Sequence, residues 1–301
     1  ANHSKFTVTD EVIGDDETIG WFIDSDGTLK KKFCVSFNDL DIQPQYLARG
    51  EKAIKPDYTP EDVTDDNFTY SFNNWYTLDN RSQFVLFTFD DPIESDTVIY
   101  ALRDCNYYVT NGASNGNGTE SAPFGSIEEA VSKMINYHTI YTVHILSDLE
   151  GSQKIEDITI SEGDISYTTP IAAQIILKGV INNGDTTKID ANGTGTALTI
   201  KTTVPVTIQD LIITGGGNVS KGAGIYVGSN ATVVLDNGAI VCNNNANNGE
   251  PTQYNDYLFA RGGGVYVYER GSLTMRGTAK IRNNTAGHAD SDLGNSFYGC
   301  G

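Results

Sequence analysis

The chain has 301 residues, enough for two domains with separate cores, and its 39% hydrophobic and 20% charged residues are typical of a folded chain and not of a disordered one. A net charge of −19 repels phosphate backbones and offers no basic patch to anionic lipid, which argues against nucleic acid as a partner. No apolar run approaches the length needed to cross a bilayer, so we expect any membrane anchor to lie outside this chain.

Glycine and cysteine usage narrows the fold class. The 31 glycines and 8 prolines, with many Asn, Thr, Val and Ile residues, favour strands joined by tight turns. The four cysteines, Cys34, Cys105, Cys242 and Cys300, form no Cys-x-x-Cys pair, which excludes a zinc ribbon or a redox motif of that type. A disulfide between Cys34 and Cys105 and free or buried thiols both remain open.

The first predicted element is a β-hairpin. Asp26 and Gly27 stand between the apolar residues Ile23 and Leu29, as in a tight hairpin turn. Residues 24–27 also resemble the start of a calcium loop, but the later ligands that such a loop needs are missing. The hairpin is therefore the interpretation we prefer.

Residues 33–102 indicate a second β unit, with Phe33, Val35 and Phe37 alternating with polar neighbours as in a half-buried strand. A series of aromatic, glycine and proline residues then follows in a characteristic order: Val35, Phe37, Gly50, Ala53, Pro56, Tyr70, Phe72, Trp75, Tyr76, Pro92, Ile93, Asp96, Tyr100 and Ala101. This order resembles the internalin-type B-repeat, also called the Listeria–Bacteroides repeat, although Asn74 stands where that family usually has glycine. The resemblance implies a small β-grasp-like module of bacterial surface proteins without catalytic residues. We expect Trp75, Phe72 and Phe87 to form its core.

A domain boundary is predicted near Cys105, which divides the chain into residues 1–104 and 105–301. Beyond it, Ser126 and Glu129 form a capping box, and an apolar stripe runs through Ile127, Ala130, Val131 and Met134. This pattern predicts a helix at about 126–136. The surrounding residues resemble the start of right-handed β-helix proteins: Tyr108, Val109, Gly112, Gly116, Gly118, Thr119, Pro123, Phe124, Ser126, Ile127 and Ala130. The resemblance implies a helix that caps the open apolar end of a solenoid.

From residue 155 onward the pattern is strand after strand, with no helical stretch between, which favours a right-handed parallel β-helix. An internal repeat supports this prediction: aligned from Gly222 and Gly262, eight of 25 ungapped positions are identical. Residues 247–261 between the two copies are predicted to leave the coil. A further copy would start at position 302, so we expect the native solenoid to continue beyond this chain.

Two motifs mark both copies of the repeat. They are Gly-Ala/Gly-Gly-Ile/Val-Tyr-Val at 222–227 and 262–267, and Asn-Asn at 243–244 and 283–284. The pair resembles the polymorphic outer-membrane protein family, bacterial surface β-helices of the pectin-lyase-like kind, with Val241 and Ile281 where that family has phenylalanine. That family contains adhesins and surface antigens, so the resemblance implies adhesion.

Parallel β-helices also include polysaccharide lyases and glycoside hydrolases, so catalysis is the alternative. Of the polygalacturonase pattern only Asn183-Gly184-Asp185 is present, without the later Gly-His-Gly or Arg-x-Lys. Asp185, Asp190 and Asp210 could line one face, and no histidine belongs to a metal-spaced pair. We interpret His144 as an ordinary strand residue, and His288, Asp290 and Asp292 as a solvated loop. The sequence therefore predicts no catalytic residue, cofactor or metal.

The aromatic insert is the candidate partner contact, with Tyr254, Tyr257, Leu258 and Phe259 on one loop. Alternatively, the loop folds onto the wall of the coil and hides its rings. The complete prediction is a mainly β protein, with a small β-grasp-like N-terminal domain and a right-handed parallel β-helix behind a capping helix. We expect an extracellular or outer-membrane-associated display or adhesion protein that binds a host or cell-surface protein or glycan. The alternative is a carbohydrate-active β-helix enzyme, which convergent carboxylates in a groove would favour.

Overall fold

The computed structural model describes residues 21–23, 27–38, 40–65, 67–134, 138–162, 165–169, 172–182, 184–247, 250–252 and 255–287. For residues 21–23, 29, 158–162, 165–169, 250–252 and 255–259 only the backbone is described. The chain divides into two compact units, one of Ala1–Asp62 with Phe72–Arg103, the other of Val63–Ser71 with Asp104–Gly301.

Most of the first eight strands are short, and the exceptions are β6 and β8. The boundaries between the two units at residues 71/72 and 103/104 lie within these two longer strands. The eight strands are β1 (Trp21–Ile23), β2 (Leu29–Lys31), β3 (Phe33–Asn38), β4 (Gln45–Leu47), β5 (Val63–Thr64), β6 (Thr69–Leu78), β7 (Phe84–Leu86) and β8 (Thr97–Val109). β1 and β2 pair antiparallel with Ile23 opposite Leu29, so the predicted hairpin is confirmed. In the first unit, β3 pairs antiparallel with β4 and parallel with β8, while β6 and β7 pair antiparallel.

The core of the first unit is built around Trp75, which is 1% exposed. Its ring meets those of Phe37, Phe72 and Phe89 edge-on, with centroids 5.6, 5.5 and 6.3 Å away. Phe87 packs against the same cluster of buried residues. The predicted core role of Trp75, Phe72 and Phe87 is thus confirmed. The described part of this unit contains no helix, and its β-grasp-like character stays a prediction.

Tyr70 does not belong to the first unit, although the B-repeat resemblance places it there. Its side chain is buried in the core of the second unit, with Cys105 and Tyr107. The contacts of the folded chain, and not the sequence motif, therefore decide to which unit this strand segment belongs.

The three described cysteines, Cys34, Cys105 and Cys242, are free thiols. Burial, followed by the nearby Asp65 and Asp104 charges, raises the pKa of the Cys105 thiol to about 12. Of the two states that the sequence left open for Cys34 and Cys105, the structure has the free thiols.

The second unit contains one short helix and a long series of strands. Its elements are α1 (Ile127–Ser132), β9 (Thr139–Ile145), β10 (Leu149–Glu150), β11 (Gln153–Glu156), β12 (Ile158–Glu162), β13 (Ile165–Thr169), β14 (Gln174–Gly179), β15 (Ile181–Asn182), β16 (Asp185–Thr186), β17 (Lys188–Asp190), β18 (Leu198–Lys201), β19 (Val206–Gln209), β20 (Ile212–Thr214), β21 (Ile225–Val227), β22 (Thr232–Leu235), β23 (Ile240–Cys242), β24 (Asn245–Ala246), β25 (Glu250–Thr252), β26 (Asn255–Phe259), β27 (Val265–Val267), β28 (Ser272–Met275), β29 (Lys280–Arg282) and β30 (Thr285–Ala286).

Helix α1 begins as predicted, but it is shorter than predicted. Ser126 is the N-cap, and its Oγ accepts a hydrogen bond from the Glu129 amide at 3.1 Å. The expected end at about residue 136 is wrong, because the helix ends at Ser132. The amides of Lys133 and Met134 donate to Ala130 and Val131, three residues back, which tightens the last turn. Met134 lies beyond the helix and is nevertheless buried.

The later strands of the second unit form three parallel sheets. Sheet 1 is the β9-β14-β19-β22-β28 part of a larger sheet that continues from β9 to β8, sheet 2 is β10-β17-β20-β23-β29, and sheet 3 is β11-β18-β21-β27. The short strands β24 and β30 form a further parallel pair. Every pair of neighbours in the three sheets is parallel. The chain passes through sheets 1, 2 and 3 in that order several times, and we call each such passage a round. The prediction of a mainly β chain with parallel sheets is confirmed.

The internal repeat of the sequence is present as strand pairing. Tyr226 pairs with Tyr266, Val233 with Leu273 and Ala246 with Ala286, so the two copies lie beside each other in register. The preceding round is shorter, with Leu198 opposite Ile225. The inward residues of all three sheets, mostly Ile, Val, Leu and Ala, form one continuous core.

Three antiparallel hairpins interrupt the rounds. They are β12–β13, β15–β16 and β25–β26, and each pairs with itself alone among the described strands. The last begins at Glu250 and ends at Phe259, which confirms that the 247–261 segment leaves the repeat. The extra length of the last full round is therefore a two-stranded insertion before β27.

Candidate functional site

The predicted contact loop is only partly visible. Tyr254 lies outside the described residues. Tyr257, Leu258 and Phe259 are on strand β26, for which the backbone alone is described. Their role as a partner contact stays a prediction.

A second aromatic cluster, which the sequence did not single out as a site, lies on sheet 3, on and beside the strands β21 and β27 that come before and after that hairpin in the chain. The rings of Tyr226, Tyr266 and Tyr268 lie within 38° of parallel, with centroids 5.7 to 6.5 Å apart. The Lys201 Nζ lies 6.0 Å from the centroid of the Tyr226 ring. We call these four residues the tyrosine wall.

Strand alternation places the tyrosines on the outer face. Ile225 and Val227 are fully buried, so Tyr226 between them points away from the core. Tyr226 and Tyr266 are half-buried and Tyr268 is 41% exposed. None of the three phenol hydroxyls forms a hydrogen bond to another described residue.

A glycine leaves room for the lysine in this wall. The amide of Gly228 donates to Ile200 and that of Tyr268 donates to Val227, which aligns Lys201, Gly228 and Tyr268 on successive strands. A Cβ on Gly228 would lie 2.9 Å from Cγ of Lys201, so the lysine chain crosses the position where a side chain would stand. The aliphatic part of Lys201 therefore fills the space between the Lys201 and Tyr268 positions that a larger residue at 228 would take.

The rim of the wall carries charges of both signs. Glu156 is opposite Lys201 in the pairing of β11 with β18, and its Oε1 lies 3.4 Å from the Lys201 Nζ. Both side chains are about half exposed. The exposed Lys154 pairs with Thr199 on the same outward face, and the exposed Glu269 and Arg270 follow Tyr268 along the chain. On a chain of net charge −19, this patch holds three cations and two carboxylates.

The carboxylates that the sequence proposed for one face have separate surroundings. Asp185 is exposed at the start of β16, and Asp210 follows β19 with a left-handed backbone at φ 47°. Burial raises the pKa of Asp190, but hydrogen bonds from the Asn192 amide and the Lys188 Nζ, both 3.0 Å long, outweigh it and lower the pKa overall. Within the described ranges, no three His, Cys, Asp or Glu side chains are grouped to hold a metal ion.

His144 lies elsewhere in the second unit, in contact with two residues that line a surface depression. Its Nε2 is 2.9 Å from Oδ1 of Asn106, and its ring stacks on Tyr108 with centroids 4.9 Å apart. Burial and the Lys178 charge lower the pKa of His144, opposed by Glu120. The adjoining depression, of about 210 Å³, is lined by Asn67, Phe68, Thr69, Asn106, Tyr108, Thr119 and Glu120. His288, Asp290 and Asp292 lie outside the described residues.

Sequence reasoning reached only part of the tyrosine wall. Tyr226 and Tyr266 belong to the repeated motif, and their position between two apolar residues already marks them as outward-facing. Tyr268 has Gly228 as its counterpart in the repeat, and Lys201 lies outside the repeat. No signal in the sequence linked those two residues to the tyrosines.

Comparisons with protein-family models, curated proteins and solved structures found no match to this chain. Among the described residues, no helix is long and apolar enough to cross a membrane.

Proposed function

We propose that the second unit is a right-handed parallel β-helix that α1 caps at its start. The support is the repeated passage through sheets 1, 2 and 3, with successive rounds in parallel register. A solenoid of this kind buries a continuous core through neighbouring rounds and needs cover at its ends. The buried residues Ile127, Ala130 and Val131 of α1 belong to that same core.

We further propose that the protein is a non-catalytic display or adhesion protein, secreted or held at the bacterial cell surface. The observation that carries this proposal is the tyrosine wall, a regular outer surface with three clustered tyrosine rings. Tyrosine is enriched in binding surfaces because it adds large, amphipathic contact area at low entropic cost. The expected partner is a host or cell-surface protein or glycan.

Retention on cells tests this function. Beads coated with the full chain should stay on epithelial or bacterial cells under flow, and free chain should compete them off. Beads coated with albumin are the control. Retention no greater than that of albumin beads on every surface would reject the adhesive function.

A further inference from the structure

We infer that the tyrosine wall binds a neutral, linear glycan that lies along the direction in which the strands of sheet 3 stack. The inference rests on the proposed adhesive function and names its ligand class. Its first support is periodicity. Thr199, Tyr226 and Tyr266 occupy equivalent outward positions on three successive strands.

Neighbouring strands are about 4.8 Å apart, so this surface repeats its chemistry at that interval. A single pyranose unit in an extended β-linked chain has a similar length. A polymer of such units can therefore present the same groups to each strand in turn.

The chemistry of the wall matches that of a sugar. Pyranose rings combine apolar C–H groups with hydroxyls, and the wall combines tyrosine rings with phenol hydroxyls. At one end the Glu156 carboxylate and the Lys201 ammonium, 3.4 Å apart, offer an acceptor and a donor to adjacent hydroxyls. The absence of a side chain at Gly228 lets the Lys201 chain lie across its strand, with Nζ 6.0 Å from the centroid of the Tyr226 ring.

Charge decides between neutral and acidic glycans. The wall and its rim carry Glu156 and Glu269 against Lys154, Lys201 and Arg270, which is no concentrated basic patch of the kind a polyanion needs. The chain around them has a net charge of −19, which repels a polyanion. A neutral polysaccharide does not meet this long-range repulsion.

Affinity electrophoresis of the full chain tests the inference. Native gels that contain hydroxyethylcellulose or mixed-linkage β-glucan should retard the protein, and gels with polygalacturonate should not. Tyr266→Ala and Tyr268→Ala should each weaken the apparent affinity for the neutral polymer about tenfold, the order of magnitude of one lost aromatic contact. Tyr268→Phe keeps the ring and should retain most of the retardation.

Tyr58→Ala is the matched control, because Tyr58 is 48% exposed and belongs to the first unit, whereas the tyrosine wall belongs to the second. Circular dichroism melting of each variant shows whether the fold is kept. Absence of retardation by both neutral polymers, or equal retardation of parent and Tyr268→Ala, would overturn the glycan assignment. If coated beads still adhere to cells while the gels show no retardation, the glycan inference fails and the adhesive function stands.

Discussion

Asn244 and Asn284, forty residues apart, are joined through their side-chain amides: Nδ2 of Asn244 donates to Oδ1 of Asn284 at 3.0 Å. Oδ1 of Asn284 also accepts the backbone amide of Asn244, and its Nδ2 donates to the Val241 carbonyl. The second asparagine of each Asn-Asn motif thus lies in a ladder that links successive rounds and satisfies backbone groups at the turn.

Removal of Asn244 should be costly, because its side chain is 1% exposed and serves the Gly216 amide and the Ile213 and Cys242 carbonyls. We expect Asn244→Ala to lower the free energy of unfolding by about 3 kcal/mol, the order of magnitude for several buried groups left unpaired. Urea denaturation measures this change. Asn245→Ala, at the exposed neighbour, is the control and should stay within about 1 kcal/mol of the parent. Equal midpoints for the two variants would contradict the ladder.

Asn243, the first asparagine of the motif, has a conformational role. Its φ of 55° is left-handed, and Asn283 in the next copy has φ 56°. Asn243→Gly should leave stability nearly unchanged, because glycine adopts this conformation without strain. Asn243→Val should lower the free energy of unfolding by about 1–2 kcal/mol. Thermal melting of the pair measures the difference, and a valine variant that melts with the glycine variant would refute the strain argument.

The sequence correctly predicted that the two repeat copies correspond to each other, because their shared residues recur at a constant spacing. The Gly, Tyr and Asn positions of the two copies recur at one offset, and the same offset is the register of strand pairing. The predicted end of α1 was wrong because Met134 continues the apolar stripe of the sequence. In the structure the amides of Lys133 and Met134 already bond three residues back, which ends the helix before Met134. Tyr70 was assigned to a motif of the first unit, but its long-range neighbours are in the second.

The tyrosine wall was predictable only in part, for a related reason. Lys201 reaches Tyr226 because Leu198 pairs with Ile225, a register set by a round of different length. A search for repeats at a constant spacing does not find neighbours such as Lys201 and Tyr226, because the rounds that bring them together differ in length. Tyr268 stands where the preceding copy of the repeat has Gly228. Its ring in the tyrosine wall therefore comes from a residue that the two copies do not share.

The start of the second unit offers two tests of the cap. Ser126→Ala removes the hydrogen bond to the Glu129 amide and should cost about 0.5–2 kcal/mol. Met134→Asp should cost more, at least about 3 kcal/mol, because it places a charge at a position that is 1% exposed. Met134→Leu conserves volume and is the control. If the aspartate variant melts like the leucine variant, the segment does not cover the core.

Catalysis on acidic polysaccharide is not expected. The later elements of the polygalacturonase pattern are missing, and Asp185 is exposed on a hairpin. Purified protein incubated with polygalacturonate should release neither unsaturated uronate nor reducing ends above the background. Steady product formation that Asp185→Ala abolishes would establish the enzyme instead.

His144 should make stability depend on pH in a defined direction. Burial is the main cause of its lowered pKa, with Lys178, its cross-strand partner, as the second cause and Glu120 in opposition. The folded chain therefore prefers the neutral imidazole. As the pH falls through the ordinary histidine pKa of about 6.5, the unfolded chain takes up this proton first, and stability is lost until the lowered folded pKa is reached.

The variant His144→Gln isolates this effect, because glutamine retains an amide that can bond to Asn106 but does not titrate. Between about pH 7.5 and about pH 5, the parent should lose more unfolding free energy than the variant. Lys178→Met removes the neighbouring cation and should reduce the loss in the parent background. Urea denaturation at both pH values measures the change in unfolding free energy for the parent and each of the two variants, and NMR titration of the imidazole follows the folded pKa directly. An imidazole pKa above the ordinary value, or an identical pH response of parent and His144→Gln, would show that the folded state does not favour the neutral ring.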